Sequence, residues 1–272
     1  MKMFYAAGGG FGHLRRVQRF ISQTQTGDYR VISNNPVARL LFECENVLTL
    51  LGDSPAQWSE QVSRFIQEWN PEALFIDTFP NGLLGELNAE VITAPVNYLA
   101  RRLKWAAYQP LLTDEKQFHF ETVYRFECLE QEHQKFAATH ARKFIEFKLS
   151  RDLAQAKTEQ GMFDGRLWLV MHTSQAEEVE SLVDDAIDLA ERESNRPVIG
   201  LYSNIQLQGK PIVQIDHRQF SQALSSAERV FCGGGFNTLF ELQPYRHKVR
   251  AVPFPRRFDD QAWRIRNFYH TT

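Results

Sequence analysis

Residues 2–17 read KMFYAAGGGFGHLRRV: a short β-forming run meets a glycine-rich turn and continues into a helical pattern. From His13 onward, Leu14, Val17 and Ile21 recur on one stripe, as in an amphipathic helix. A glycine-rich turn between a strand and a helix lets a ligand approach the backbone and directs N–H groups at it from the helix N-terminus. The stretch therefore predicts an α/β fold with an anion-binding turn.

The rest of the chain repeats the alternation of strand and helix. Predicted strands cover residues 2–7, 29–33, 46–51, 73–79 and 91–99 in the first half, and 167–172, 198–202, 211–215, 229–232 and 249–254 in the second. Such alternation is typical of doubly wound parallel sheets. We predict an N-terminal domain over residues 1–155 and a C-terminal domain over 162–272, with the polar stretch 151–166 as linker. Between the two sets, the pattern predicts a strand over 122–128 and a helix through Phe136, Phe144 and Phe147.

Composition limits the function classes. The chain has 272 residues, 43% of them hydrophobic and 24% charged, enough for two cores, and a formal net charge of −2. That charge gives no strong field for nucleic acid or anionic membrane. Three dispersed cysteines without C-x-x-C spacing, and an N-terminal apolar run too short for a signal peptide or a membrane span, predict a cytoplasmic protein.

Two common phosphate-binding motifs do not fit. A dinucleotide-binding turn needs G-x-G-x-x-G, but His13 stands where the third glycine would be. The second strand ends in Ser33-Asn34-Asn35, without the acidic residue that would hold an NAD ribose. No G-x-x-x-x-G-K-[ST] sequence occurs, which excludes a P-loop.

His13 is the candidate general base. Its predicted place in the first helical turn disfavours an imidazolium, and a neutral imidazole can take a proton from an acceptor hydroxyl. Arg16 lies one turn further along roughly the same face and could meet a phosphate or an acidic acceptor, with Gly10 and Gly12 supplying the turn. The alternative is a histidine that merely caps the turn.

A second glycine turn reads CGGGFNTLFE over residues 232–241. It again follows a strand, and Asn237 or Thr238 is placed to cap a short helix. Its amides could hold a pyrophosphate, and Glu241 could accept hydrogen bonds from a ribose diol. The alternatives are a tight turn and a solvated glutamate.

A third motif runs from Val252-Pro253-Phe254 to Asp260 and Gln261 at a helix start. Both polar side chains could hydrogen-bond sugar hydroxyls. The alternative is acidic capping of a helix N-terminus.

Together the three motifs resemble the MurG-like glycosyltransferases, the family that includes the enzyme adding N-acetylglucosamine to a lipid-linked peptidoglycan precursor. The family's G-G-x-x-T-x-x-E pattern is matched by Gly234, Gly235, Thr238 and Glu241. Its V-P-F…D-Q pattern is matched at residues 252–254 and 260–261, and its glycine–histidine turn at residues 9–13. Residues 77–87 and 101–105 also resemble predicted bacterial glycosyltransferases of the same superfamily.

The resemblance implies a GT-B fold, in which two Rossmann-like domains with parallel sheets face one another across a cleft. It implies that a nucleotide-sugar donor, with a UDP-sugar as the leading candidate, binds to the C-terminal domain. It also implies that an unidentified acceptor binds to the N-terminal domain and that no cofactor is needed. The role of Asp77 follows from its place at the end of a predicted strand and not from the resemblance: it could support the acceptor or help His13, and the alternative is a turn-forming aspartate before Pro80. The implied donor-binding residues are Gly233, Gly234, Gly235, Phe236, Asn237, Thr238, Glu241, Asp260 and Gln261. His172, in the first turn of the C-terminal domain, is predicted to join them from its place in the sequence.

The sequence also predicts a site without a metal ion. No D-x-D triplet occurs, the pattern by which the other large glycosyltransferase fold holds a divalent cation. Helix N-termini and cationic side chains, with Arg256 and Arg257 as candidates, would then stabilise the leaving diphosphate.

Two other functions stay open. Gly10, Gly12, His13 and Arg16 also match a G-x-G-H-x-x-R stretch of small GT-B relatives that use water as the acceptor, so the chain could be a nucleotide-sugar hydrolase. A non-catalytic protein that binds nucleotide sugars is the second alternative.

Overall fold

A computed structural model describes residues 1–112, 117–151, 166–173 and 175–270. The chain forms two compact units. The first contains Met1–Ser150 and Arg257–Asp260, and the second contains Arg151–Arg256 and Gln261–Thr272. Most of the predicted linker, residues 152–165, lies outside the described residues.

The first unit is an α/β unit built on a parallel sheet. Its strands are β1 (Lys2–Tyr5), β2 (Tyr29–Ser33), β3 (Val47–Thr49), β4 (Ala73–Asp77), β5 (Val96–Ala100), β6 (Phe120–Arg125) and β7 (Ala141–Glu146). Its helices are α1 (Phe11–Gln23), α2 (Ala38–Leu41), α3 (Pro55–Trp69), α4 (Trp105–Tyr108) and α5 (Gln131–Thr139), with 3-10 turns at Cys44–Asn46 and Gln109–Leu111.

The strand order in this sheet is β3-β2-β1-β4-β5-β6-β7, with parallel pairing throughout. β1 pairs with β2 on one side and with β4 on the other, so the direction of winding reverses between β1 and β4. Ligands of such sheets bind beyond the carboxyl ends of the strands at this reversal. The residues that follow β1 and β4 therefore lie at the expected ligand position of this sheet.

One predicted helix of this unit is wrong. Phe144 lies in strand β7, which pairs in parallel with β6 (Tyr124 opposite Ile145), and Phe147 follows that strand. Phe144 packs on the core that contains Val123, while the Phe147 ring lies 4.9 Å from the Phe20 ring. Because the sheet is covered on both faces, a strand carries apolar residues on both of its sides. In the sequence, these residues can have the three- and four-residue spacing that is typical of one face of a helix.

The second unit is a smaller α/β unit. Its strands are β8 (Leu167–Met171), β9 (Val198–Tyr202), β10 (Ile212–Gln214), β11 (Arg229–Gly233) and β12 (Val249–Val252). Its helices are α6 (Ala176–Ala190), α7 (Phe220–Ser226), α8 (Phe236–Leu242) and α9 (Gln261–His270), with a 3-10 turn at Gln243–Lys248.

This sheet is also parallel, in the order β10-β9-β8-β11-β12. Its winding reverses between β8 and β11, so the residues after these two strands take the position that the turns after β1 and β4 take in the first unit. The predicted pair of parallel α/β sheets is confirmed. No helix in the described part of the chain is long and apolar enough to cross a membrane.

Candidate active site

The turn after β1 is held by the neighbouring strand. The Gly8 amide donates to Asn34 Oδ1 at 2.9 Å, just beyond the end of β2. Gly10 is the N-cap residue of α1 with an extended backbone, and no side chain among the described residues caps this helix. No described atom lies within 4 Å of a Cβ built on Gly9 or Gly10. Gly9 and Gly10 therefore border open space just before α1, at the reversal point of the sheet.

His13 and Asp77 meet at this point. His13 lies in the first turn of α1, Asp77 ends β4, and His13 Nδ1 is 2.7 Å from Asp77 Oδ2. The His13 ring also stacks on Phe79, with 5.4 Å between ring centroids. The Asp77 side chain is fully buried, whereas that of His13 keeps 14% exposure. An ionised carboxylate only accepts hydrogen bonds, so Nδ1 carries the proton of the neutral ring and Nε2 keeps a lone pair.

Arg16 neutralises the buried carboxylate. Its Nε donates to Asp77 Oδ1 at 2.7 Å and its Nη2 to Asp77 Oδ2 at 2.5 Å. Burial alone would raise the pKa of Asp77, but the charge of Arg16 and the hydrogen bond from His13 outweigh it and lower that pKa to about 2. From the sequence, Arg16 was expected to be able to meet a ligand phosphate or an acidic acceptor. In the structure this side chain is 1% exposed and contacts the protein's own carboxylate, because α1 lies across the end of β4.

His13 is held in its neutral form. Burial lowers the pKa of His13 below its ordinary value of 6.5, the hydrogen bond that His13 donates to Asp77 opposes this, and the charge of Arg16 adds to the lowering. A neutral imidazole whose Nδ1–H is fixed by a carboxylate is the arrangement that lets Nε2 take a proton. The pair can therefore act as a general base with its own counter-ion.

Thr78 has an unusual backbone next to this pair. Its φ of 66° lies in the left-handed region, which β-branched residues rarely adopt. The Phe79 amide donates to the Asp77 carbonyl at 2.8 Å, so Asp77, Thr78 and Phe79 form a three-residue turn. Such conformations cost on the order of 1–3 kcal/mol and persist where surrounding contacts impose them. Here the Thr78 hydroxyl accepts from Arg16 Nη2 at 2.5 Å and donates to Asp77 Oδ2 at 3.0 Å.

In the second unit the glycine turn follows β11 and packs closely on α9. The Gly234 amide donates to the Val252 carbonyl at 3.0 Å, and Arg264 Nη1 donates to the Gly234 carbonyl at 3.0 Å. A Cβ on Gly234 would lie 2.7 Å from Ile265 Cδ1. Glycine is therefore required at this position for close approach of the turn to α9. The sequence analysis missed Arg264, a buried cation directly behind the turn.

Helix α8 begins at Phe236, before both of the residues that were predicted to cap it. Gly235 is the N-cap, and no described side chain makes a capping hydrogen bond there. The expectation that Asn237 or Thr238 caps this helix is wrong, because both lie inside its first turn. Glu241 is 7% exposed, so it is a buried residue of α8 and not a solvated one.

His172, which follows β8, is part of a cluster with two charged residues. His172 Nε2 lies 2.7 Å from Glu178 Oε2, and Glu178 also accepts from Arg256 Nη1 at 2.5 Å and Nη2 at 2.6 Å. Burial raises the pKa of Glu178, but Arg256 and His172 outweigh it, so the pKa is lowered. Burial also lowers the pKa of His172. A Cβ on Gly233 would lie 2.7 Å from His172 Cε1, so this imidazole lies against the second glycine turn.

The two residues of the third motif fall in different units. Asp260 lies in the first unit, where its Oδ2 accepts from Arg102 Nε at 3.1 Å. Gln261 begins α9 in the second unit, and its Oε1 accepts from the Phe254 amide at 3.0 Å. The Gln261 bond fixes the loop after β12. Both side chains therefore make contacts within the protein that the motif did not reveal.

Each unit thus gathers part of the predicted set at its own sheet reversal. The first brings together Gly10, Gly12, His13, Arg16 and Asp77. The second brings together His172 and the Gly233–Gly235 turn, with Phe236, Asn237, Thr238 and Glu241 following on α8. The sequence analysis missed Glu178, although its place six residues after His172, in the first turn of α6, is visible in the sequence.

Comparison with solved structures identifies the class of fold. The glycosyltransferase SnogD from Streptomyces nogalater matches with a TM-score of 0.58 and 12% identity, over 97% of this chain and 83% of that chain. MurG from Acinetobacter baumannii matches with a TM-score of 0.57 and 13% identity, over 98% and 82%. UDP-GlcNAc 2-epimerase from Methanocaldococcus jannaschii, solved with UDP-GlcNAc and UDP, matches with a TM-score of 0.52 and 11% identity, over 93% and 83%.

No protein-family model and no curated protein sequence matches the chain. The structural matches, with the two parallel sheets, show that the chain has the GT-B fold. The GT-B fold predicted from the resemblance to MurG-like glycosyltransferases is confirmed.

Proposed function

We propose that the chain is a glycosyltransferase that moves a sugar from a nucleoside-diphosphate sugar to a hydroxyl acceptor, with His13 as the general base. The observation that carries the proposal is the contact of His13 Nδ1 with the buried Asp77 carboxylate at the reversal point of a GT-B sheet. Many folds contain histidines, but a neutral imidazole fixed by a carboxylate, itself neutralised by an arginine, is an arrangement suited to proton transfer.

In this reaction His13 Nε2 takes the proton of the acceptor hydroxyl while that oxygen bonds to the anomeric carbon of the sugar. The bond between the anomeric carbon and the diphosphate oxygen breaks, and the nucleoside diphosphate leaves with the electron pair. Asp77 stabilises the imidazolium that forms, as the carboxylate of a hydrolase triad does. Arg16 acts through Asp77, because its guanidinium contacts that carboxylate.

We place the donor on the second unit, beyond the carboxyl ends of β8 and β11. The proposed contacts on this unit are the amides of Gly233–Thr238 with the diphosphate, Glu241 with the ribose, and Gln261 and His172 with the sugar or nucleotide. The M. jannaschii epimerase is described with UDP-GlcNAc and UDP, which supports a UDP-sugar as the first donor to test. We also propose that the protein is cytoplasmic and that it transfers the sugar without a divalent metal ion.

The test is donor turnover by the purified protein. UDP- and TDP-sugars are incubated with and without a small-molecule cell extract, and the released nucleoside diphosphate is measured. The proposal expects release that depends on the extract and persists in EDTA. Equal release with water alone would identify a hydrolase. Absence of both release and binding for every nucleotide sugar would overturn the proposal.

A further inference from the structure

We propose that Tyr98 and His133, two buried residues of the first unit, position the His13–Asp77 pair through the carbonyl of Thr78. The inference rests on the proposed role of His13 as a base. Both residues are 0% exposed, so neither can contact a ligand in the space beside the glycine turn. They are therefore positioning residues, acting through Thr78 and not on the substrate.

Tyr98 holds the strained turn from the neighbouring strand. It lies in β5, opposite Ile76 of β4, and its hydroxyl donates to the Thr78 carbonyl at 2.6 Å. On the other side, the Thr78 amide donates to the Leu99 carbonyl at 3.0 Å. Both main-chain groups of Thr78 are thus bound to β5, which keeps this residue in its left-handed conformation.

His133 fixes the direction of the Tyr98 hydroxyl. A carbonyl oxygen only accepts, so the one hydroxyl proton of Tyr98 points at Thr78 and the phenol oxygen must accept from His133 Nε2, 2.9 Å away. The proton of the neutral His133 ring is therefore on Nε2, and no described residue offers its buried Nδ1 a hydrogen bond. The ring stacks on Trp105 with 4.5 Å between centroids and 7° between planes. Burial, with the nearby charges of Arg102 and Arg101, lowers the pKa of His133 to about 3, so the ring stays neutral.

Rotation of the Thr78 peptide would disturb both contacts of the His13 ring. The Thr78 hydroxyl bonds to the same oxygen, Asp77 Oδ2, that faces His13 Nδ1. The next residue, Phe79, carries the ring on which His13 stacks. A hydrogen bond to the Thr78 carbonyl therefore fixes the positions of both the Asp77 carboxylate and the Phe79 ring, the two groups that hold the His13 ring.

The tautomer of His13 is the direct readout. In ¹⁵N NMR of the protein without substrate at pH 8, we expect wild-type Nδ1 to have the shift of a protonated nitrogen and Nε2 that of a bare one. Tyr98→Phe removes the hydroxyl and keeps the ring, so we expect a mixture of the two tautomers. If donor turnover can be followed, kcat should fall with little change in the KM for the donor.

Tyr108→Phe is the matched control. Tyr108 is equally buried, and its hydroxyl donates to the Gly82 carbonyl at 2.8 Å and accepts from the Asn81 amide at 3.0 Å. We expect this variant to lose stability and to keep the His13 tautomer. The proposal is overturned if Tyr98→Phe keeps the wild-type tautomer, or if Tyr108→Phe shifts it as far.

If Tyr98→Phe does not fold, His133→Phe tests the same chain of bonds, because it keeps a ring over Trp105 and removes the donor to Tyr98. We expect a smaller shift in the same direction, and an unchanged tautomer would refute the proposal. Since no measurement of the tautomer uses a substrate, a failed positioning role is distinguishable from a failed transferase assignment.

Discussion

Gly8 lies directly against the His13 ring. A Cβ on Gly8 would be 2.3 Å from His13 Cδ2 and 2.6 Å from His13 Nε2. The absence of a side chain at position 8 is thus a condition for the place that His13 takes beside Asp77.

Gly8→Ala should therefore displace His13 while leaving the sheet intact. Because the ring is fixed by Asp77 and Phe79, we expect the methyl group to break the His13–Asp77 contact. Turnover should then fall by about the 10²–10⁴-fold that loss of a general base costs. Gly9→Ala is the control, since no described atom lies within 4 Å of its Cβ position. Equal rates for Gly8→Ala and the wild type would show that His13 is not needed where it stands.

The rate of transfer should depend on pH through His13. Burial lowers the pKa of His13 below 6.5, so the base is neutral at neutral pH and becomes protonated only as the pH falls through that lowered pKa. The rate should therefore be on its plateau at neutral pH and decline as the pH falls through that lowered pKa. Asp77→Asn removes the charge that favours the imidazolium, so the decline should move to lower pH and the plateau should drop. An inflection above pH 7 in the wild-type rate profile would assign the proton transfer to another group.

Much of this architecture could be predicted from the sequence. The two glycine turns mark where strands give way to helices, and the alternation of strand and helix along the chain indicated two parallel sheets. His13 was predicted in the first helical turn after the first strand, and Asp77 near the end of the fourth. Their contact could not be predicted, because 64 residues separate them and only the strand order β2-β1-β4 makes their strands neighbours.

The missed residues share a physical reason. Glu178 and Arg264 lie on amphipathic helices, where charged residues predict a solvated face, yet both are buried against a turn. Tyr98 and His133 look like ordinary core aromatics, since the partner of a buried hydroxyl is set by tertiary packing. The prediction of a helix through Phe144 was wrong because a strand in a sheet that is covered on both faces carries apolar residues on both sides. The alternation of polar and apolar residues that identifies a strand is then absent from the sequence.

The Glu178–Arg256 pair should contribute more to stability than an exposed ion pair. The Glu178 side chain is 9% exposed and accepts two hydrogen bonds from Arg256 and one from His172. Glu178→Ala should lower the free energy of unfolding in urea by roughly 3 kcal/mol, because it leaves a partly buried cation without its carboxylate.

Glu191→Ala is the control at the C-terminal end of the same helix. Glu191 follows α6 and pairs with Arg196 at 3.5 Å, with both side chains more than half exposed. Such pairs contribute at most about 1 kcal/mol. Equal losses for the two variants would mean that the buried cluster has no special role.

Glu86 should make stability fall as the pH rises. Burial raises the pKa of Glu86 to about 7, from an ordinary value of 4.5, although the amides of Leu83 and Leu84 donate to it and Tyr5 contacts it. The folded state therefore holds this proton more tightly than the unfolded state. The stabilisation of the folded state by this protonated carboxyl group is fully present below pH 4.5 and is lost as the pH rises to 7. The raised pKa corresponds to about 3 kcal/mol of the free energy of unfolding.

Glu86→Gln removes that slope. From pH 4.5 to pH 7 the wild type should lose free energy of unfolding relative to the variant, as measured by urea denaturation at several pH values. Glu90→Gln, on the exposed part of the same loop, controls for the loss of a negative charge. Parallel curves for wild type and Glu86→Gln would contradict the raised pKa.

The most direct measurement compares donor binding and donor turnover in the wild type and in His13→Ala. Calorimetric titration with the UDP- or TDP-sugar that the wild type consumes should give the same dissociation constant for both proteins, since we place the donor on the second unit. Release of nucleoside diphosphate in the presence of acceptor should be slower in His13→Ala by about 10²–10⁴-fold. Full turnover by His13→Ala, or the absence of nucleotide-sugar binding by the wild type, would contradict the account.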